Sequence, residues 1–207
     1  MRKRQILFLV IAALSVSQFL GAQASKDEIR RLGTVMGWKA GQTIGDVGAG
    51  KGEIGIAAAG VVGKTGRVYL TELDERKRET LAREVKSRGI ENIVVMQAAE
   101  KQTNLPNECC DGIVLRRVYH HLTAPVEMDA SLLQSLKPGG ELAIIDFPPR
   151  KWLTESDPVK GVPANRGGHG IPQKILIQEL TTAGFKVGKV FDDWPDDGYC
   201  VVFRKPD

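Results

Sequence analysis

Along the chain, short apolar runs alternate with longer stretches that mix charged and apolar positions, and Gly or Pro punctuates most of the changes. The runs predict strands at 43–47, 68–71, 93–96, 112–115 and 142–145. The mixed stretches predict helices at 53–62, 75–88 and 126–136, preceded by a short helix at 26–36 that Gly37 stops. The helix at 53–62 is rich in Ala and Gly, so its small side chains suit close packing on a sheet. Gly89 ends the charged amphipathic helix 75–88, and Lys137, Pro138, Gly139 and Gly140 close the helix 126–136. Strands alternating with helices over short connections predict a parallel sheet covered on both faces. The end of the chain departs from that rhythm: a helix at 173–183, a strand at 186–191, a turn-rich 192–198 and a strand at 199–203. Two strands joined by a turn without a crossover must pair antiparallel or diverge. The expectation is one α/β domain of three layers, with seven strands and only the last antiparallel. Residues 147–170 hold four prolines and four glycines and are long for a loop, as lids and binding segments are.

Composition changes this picture at the N-terminus. The chain has 207 residues, enough for one large core, and a formal charge of +4. The basicity is local, because Arg2, Lys3 and Arg4 open the chain and no acid precedes Asp27. Without residues 1–24 the count is 26 Lys and Arg against 25 Asp and Glu, with no basic stripe to track nucleic acid. The basic start, the apolar residues 6–16 and the small-x-small Ala22-Gln23-Ala24 are the three parts of a secretory signal peptide. The domain division is therefore 1–24 as leader and 25–207 as the mature domain, exported to a periplasm or secreted. The apolar run falls short of the ~20 residues of a spanning helix. An uncleaved leader acting as a membrane anchor is the alternative.

Three cysteines, Cys109, Cys110 and Cys200, make an odd count in an oxidising compartment. Adjacent Cys109 and Cys110 are not expected to bridge each other, Cys200 is not expected to reach either, and all three read as small apolar residues at strand edges. No metal-ligand spacing is present.

The strongest chemical signal is a strand ending in Asp46, then Gly48-Ala49-Gly50-Lys51-Gly52, then a helix. Such a turn lets backbone approach a bound nucleoside closely. Two rival readings are weighed by other residues. Gly45 to Lys51 matches the spacing of a phosphate-binding loop, but Gly52 stands where the Mg²⁺-binding hydroxyl would be, and near Gly63-Lys64-Thr65 the first Gly is replaced by Ala58. An NAD-linked oxidoreductase would use an acid ~20 residues past the turn, which Glu72 supplies. Yet none of Tyr69, Tyr119 and Tyr199 has a Lys four residues on, and the antiparallel end is foreign to that fold.

Several segments resemble one family. Asp46 to Gly52 resembles motif I of class I, Rossmann-like S-adenosylmethionine-dependent methyltransferases. Val68-Tyr-Leu-Thr-Glu72 resembles their second strand with its ribose-binding acid, and Lys137-Pro-Gly-Gly-Glu-Leu-Ala-Ile-Ile-Asp146 their fifth strand and the loop before it. Asp111-Gly-Ile-Val-Leu with Val118-Tyr-His-His-Leu122 is similar to the branch related to ubiquinone/menaquinone methyltransferases, as are His169-Gly-Ile-Pro and Ala183-Gly-Phe185. The resemblance covers about residues 30–205. It departs from the family after strand three, where an acid commonly meets adenine. Here Ala99 occupies that position, and Glu100 is the stand-in.

The resemblance implies S-adenosylmethionine as donor, with Gly48, Ala49, Gly50 and Gly52 admitting its methionine part and Asp46 orienting the ammonium. Glu72 would accept the ribose hydroxyls, Ala99 and Glu100 border the adenine, and Arg116 faces the same crevice. Glu72 and Asp74 are expected to lie unburied without ligand, so that replacing either leaves stability unchanged. A methyl group on a sulfonium is already activated, so positioning does much of the work and a base is needed only for hydroxyl or carbon acceptors. Candidates are His120, His121, Asp146 and His169. Adjacent histidines on a helix point about 100° apart, so only one of His120 and His121 is expected to line the crevice, while His169 in the long loop is expected to be the most exposed to substrate. Strand four lacks the Asn-Pro-Pro-Tyr ending used on planar amines, which directs the reading to a small-molecule acceptor. Two alternatives stay open: an exported nucleoside-binding module without turnover, and the NAD-linked oxidoreductase.

Overall fold

A computed structural model of the protein describes residues 23–150, 161–162 and 169–207. Residues 1–22 of the expected leader and most of the expected lid at 147–170 lie outside the described residues. The helix α1, Lys26–Val35, is capped by Ser25, whose hydroxyl accepts the N–H of Glu28, and it stops at Gly37 with φ +59°. β1 (Thr43–Val47), α2 (Glu53–Val62), β2 (Arg67–Glu72), α3 (Glu75–Ser87) and β3 (Ile93–Gln97) follow in alternation. β4 (Cys110–Arg116) leads through a 3₁₀ turn, Tyr119–His121, to α4 (Pro125–Ser135) and β5 (Leu136–Asp146). α5 (Gln173–Thr182), β6 (Lys186–Trp194) and β7 (Gly198–Arg204) complete the chain.

The sheet order is β3-β2-β1-β4-β5-β7-β6. β1 to β5 are mutually parallel, and β7 runs antiparallel to both of its neighbours, as the turn-only connection demands. Alternate residues of each strand feed different cores. Ile113 and Leu115 of β4 pack with α4 and α5 through Met128, Leu132, Leu176 and Leu180. Val114, between them, packs with Leu32 and Met36 from α1 and its end and with Ile54 of α2. A third cluster joins Ala58 and Val62 of α2 and Leu81 and Val85 of α3 to Ile44, Val68 and Leu70. This division follows from the period of two along a strand.

α2 can lie on β2 only because it is small-sided. A Cβ on Gly55 would come within 2.0 Å of the fully buried Leu70 side chain. At the N-cap of the same helix, Gly52 takes φ +75°, and a Cβ there would meet Leu81 at 2.4 Å.

Three expectations need correcting. β5 starts at Leu136, which pairs with Cys110, while Glu141 pairs with Gly112, so residues 137–140 are a bulge within the strand and not a separate turn before it. Cys109 and Cys110 are joined in a disulfide. They sit just past a turn at Glu108 (φ +49°), where the backbone is only entering the strand, so consecutive side chains need not diverge to opposite faces. Cys200 is free and buried on β7 opposite Ile145, as expected, and burial pushes its thiol up to about 12. Thirdly, Asp74 has a structural duty: its Oδ1 accepts the N–H of Lys77 and caps α3. Asp74→Ala is therefore expected to lower the unfolding midpoint by about 2–4 °C. Calorimetry checks this.

Candidate active site

β1 and β4 are neighbours although the chain visits β2 and β3 between them, so their carboxyl ends leave a crevice where helices diverge to opposite faces. A cleft of about 1330 Å³ opens there. Of the residues expected to bind a donor, Asp46, Gly48, Ala49, Gly50, Glu72, Ala99, Glu100 and Arg116 all line it. Gly52 does not; it serves the start of α2.

The glycine loop is tied down over the end of β2. The N–H groups of Gly48 and Ala49 both donate to the carbonyl of Thr71, and the N–H of Gly50 donates to Glu72 Oε2 at 2.9 Å. Glu72 Oε1 accepts the N–H of Asp74 at 3.0 Å. Glu72 is thus only 7% exposed, against the expectation of an unburied carboxylate. Its two backbone partners draw it inward, and each oxygen keeps a second lone pair for a ligand hydroxyl.

Asp46, also buried, uses Oδ2 to accept the N–H of Gly55 at 3.0 Å. Burial pushes its carboxyl up to about 7, with Glu53 and Glu72 adding to the rise and the Gly55 N–H and Arg116 opposing it. A carboxyl in that state gains from a cation placed beside it.

Arg116 reaches the cleft from the end of β4, but its guanidinium is held in a two-bonded pair with Glu28 of α1, at 2.8 and 2.9 Å. Glu28 is 3% exposed and also accepts Trp194 Nε1–H at 3.0 Å. Glu28 and Trp194 carried no signal in the sequence, because their meeting depends on α1 reaching the ends of both β4 and β6, which β5 and β7 separate in the sheet.

The histidine candidates come together, with separate roles. His120 is buried, and its Nδ1 lies 2.8 Å from Asp146 Oδ1. Asp146 also accepts the N–H of Phe147 on Oδ1 and that of His120 on Oδ2. So engaged, Asp146 orients His120 and is not a free base. His121 stacks on His120 with ring centroids 3.9 Å apart and is the histidine that lines the cleft. His169 stands edge-on to His121 at 6.3 Å and is not among the cleft-lining residues, contrary to the expectation that it would be the most open to substrate. Desolvation, together with His120 and His169, lowers His121 to about 4 against an opposing pull from Asp146. It is therefore neutral near pH 7 and able to accept a hydrogen bond.

Known proteins share this architecture. Residues 45–144 match the methyltransferase domain family. A solved S-adenosylmethionine-dependent methyltransferase from Aquifex aeolicus superposes with a TM-score of 0.73 at 25% identity, over 86% of this chain and 89% of that one. In fold and in the order of its motifs the chain resembles the class I S-adenosylmethionine-dependent methyltransferases. The ubiquinone/menaquinone biosynthesis C-methyltransferase UbiE of Pseudomonas putida is 28% identical to this chain over 123 residues, 58% of this chain and 48% of that protein. UbiE of Escherichia fergusonii is 28% identical over 112 residues, 54% of this chain and 45% of that protein. The chain thus spans about half the length of the curated relatives it matches. After its third strand, Ala98 N–H donates to the carbonyl of Glu72, which sets Ala99 and Glu100 at the cleft wall.

Proposed function

We propose that the protein transfers a methyl group from S-adenosylmethionine to a small-molecule acceptor. The observation that carries this reading is the pair of buried carboxyls at the ends of β1 and β2, with the glycine loop bonded between them. Glu72 would hold the ribose hydroxyls, Asp46 and the loop the cationic methionine end, and Ala99 and Glu100 the adenine edge. Ligand pockets commonly measure about 300–1,000 Å³, so the cleft leaves room beside the donor for an acceptor. When bound, the donor supplies a methyl group already activated on sulfur. The chain's own work is to bind, align and exclude water, and at His121 to accept the proton or hydrogen bond of an acceptor hydroxyl. Release of S-adenosylhomocysteine in step with methylated acceptor tests the reading. Donor binding with no release across an acceptor screen would favour the nucleoside-binding module, and nicotinamide binding would favour the oxidoreductase. The family match favours methyl transfer over both.

His121→Phe keeps a ring against His120 but removes the acceptor nitrogen. It is expected to lower kcat by about tenfold, the value of one hydrogen bond, with donor affinity unchanged. An equal kcat in steady-state assays would remove His121 from the mechanism.

We also propose export, with cleavage after Ala24 supported by the small residues at 22 and 24. Among the described residues no helix is long and apolar enough to cross a membrane. Mass spectrometry of the exported protein is expected to show a start at Ser25. An intact Met1 on most molecules would favour the anchor.

A further inference from the structure

The junction between leader and mature domain is built into the cleft. Gln23 and Ala24 line it together with Asp46 and Glu53. Ala24 is 9% exposed and packs in the cluster of Leu32, Met36, Ile54 and Trp194. Its N–H donates to Glu53 Oε2 at 2.9 Å, while Glu53 Oε1 is buried without a hydrogen-bond partner. A carboxylate with one oxygen satisfied by a neutral N–H and the other by nothing is an incomplete arrangement.

We propose that cleavage after Ala24 completes it: the new α-ammonium of Ser25 takes the place of the Ala24 N–H and forms an ion pair with Glu53. The inference rests on the export reading above. A signal-type peptidase would add water across the Ala24–Ser25 peptide bond, leaving a carboxylate on Ala24 and an ammonium on Ser25. The Ser25 nitrogen is the next backbone nitrogen after the one Glu53 already holds, so a small shift brings it into reach.

Elimination among the neighbouring acids points to the same partner. Ser25 is the N-cap of α1, and a positive charge at a helix N-terminus is disfavoured by the helix dipole unless an acid answers it. Asp27 is bonded to Arg30, and Glu28 is bonded to Arg116 and Trp194. Asp46 on β1 and Glu72 on β2 accept backbone N–H groups of α2 and of the loops after β1 and β2. Lys26 and Lys51 are further charges on the cleft wall, and neither is bonded to Glu53, whose partner among the described residues is the Ala24 N–H. Glu53 is the acid with an unfilled oxygen. The pair would pin the start of α1, and through Glu28 the position of Arg116 in the cleft.

An α-ammonium raised above its ordinary 7.7–8.0 by such a pair stabilises the fold fully below that range, and the gain is lost as pH rises through the raised value. The test compares a chain starting at Ser25, which keeps every helix and strand described, with the full-length chain, each with and without Glu53→Gln. Thermal unfolding is followed at pH 6.5 and 9.5. At pH 6.5 the substitution is expected to lower the midpoint of the Ser25 chain by about 3–6 °C more than that of the full-length chain, with the extra loss gone at pH 9.5. NMR titration of the Ser25 amine should give a value about one unit above the ordinary range, returning to it in Glu53→Gln. An equal penalty in both chain lengths, an extra penalty that persists at pH 9.5, or an ordinary amine titration would overturn the proposal. So would a Ser25 chain that fails to fold where the full-length chain folds. The Ser25 chain is made directly, so a different natural start, seen by mass spectrometry, would sink the export reading separately.

Discussion

Replacing Glu72 with alanine is expected to weaken S-adenosylmethionine binding by roughly 10- to 150-fold, from hydrogen bonds to a charged group worth about 1.5–3 kcal/mol. The carboxylate would hold the ribose hydroxyls, and it already holds the N–H groups of Gly50 and Asp74. Its loss therefore acts twice, removing ligand acceptors and releasing the glycine loop from the end of β2. The second effect also reaches stability. Two backbone donors would have to find water, at about 1–3 kcal/mol each if they stay buried, so Glu72→Ala should also unfold at a lower temperature. Asp74→Ala is the control: it should lose its helix cap and some stability while binding the donor nearly as wild type. Calorimetric titration of both variants checks the prediction. Equal affinity in folded Glu72→Ala and wild type would show the ribose to be placed wrongly. Absence of donor binding to wild type at millimolar concentration would remove the donor itself.

Asp46→Asn should have the opposite effect on stability and a similar one on binding. The folded-state carboxyl is raised from 3.8 to about 7, chiefly by burial. Between those values the folded protein holds a proton that the unfolded chain releases. Stability must therefore fall as pH rises from about 4 to about 7, and stay level above that as far as this group is concerned. Asparagine keeps an oxygen for the Gly55 N–H and does not titrate. The variant should lack the decline and be more stable than wild type at pH 8, by about 2–4 kcal/mol at most. Donor binding should reverse the order. A cationic ligand beside Asp46 favours the ionised carboxyl, so wild-type affinity should rise through pH 7 with release of a proton, and the variant should bind more weakly without that rise. Denaturant unfolding from pH 4 to 8 reads the first half; calorimetry in two buffers of different ionisation enthalpy reads the second. Parallel stability curves for the two proteins would mean that Asp46 is already ionised in the folded state.

Much of the architecture was legible because it is local. Strand β1 and helix α2 have the bounds that their apolar runs predict, since the glycines between them leave little choice of where backbone must turn. The antiparallel β7 followed from a connection too short for a crossover. The cleft-lining residues were legible for a related reason: motifs at the ends of β1, β2 and β4 project into one crevice whenever those strands are parallel neighbours. Expectations failed where a partner distant in sequence decides. β5 extends to Leu136 because Cys110 pairs with it. Glu72 is buried because a loop folds over it. His120 and His121 are adjacent in sequence, yet Asp146 holds one inside and leaves the other at the cleft.

The amino-acid sequence by itself determined the order of elements, the parallel sheet with one reversed strand, and the chemistry gathered at the strand ends. These depend on period, glycine placement and connection length, all of which act over a few residues. Tertiary structure alone decided which charges are answered and which wait. Arg116 is committed to Glu28, Asp146 to His120, and Glu53 to the backbone N–H of Ala24, while Asp46 is left buried without a bonded cation among the described residues. Each of these depends on desolvation and on partners up to 88 residues away, quantities that no local pattern encodes.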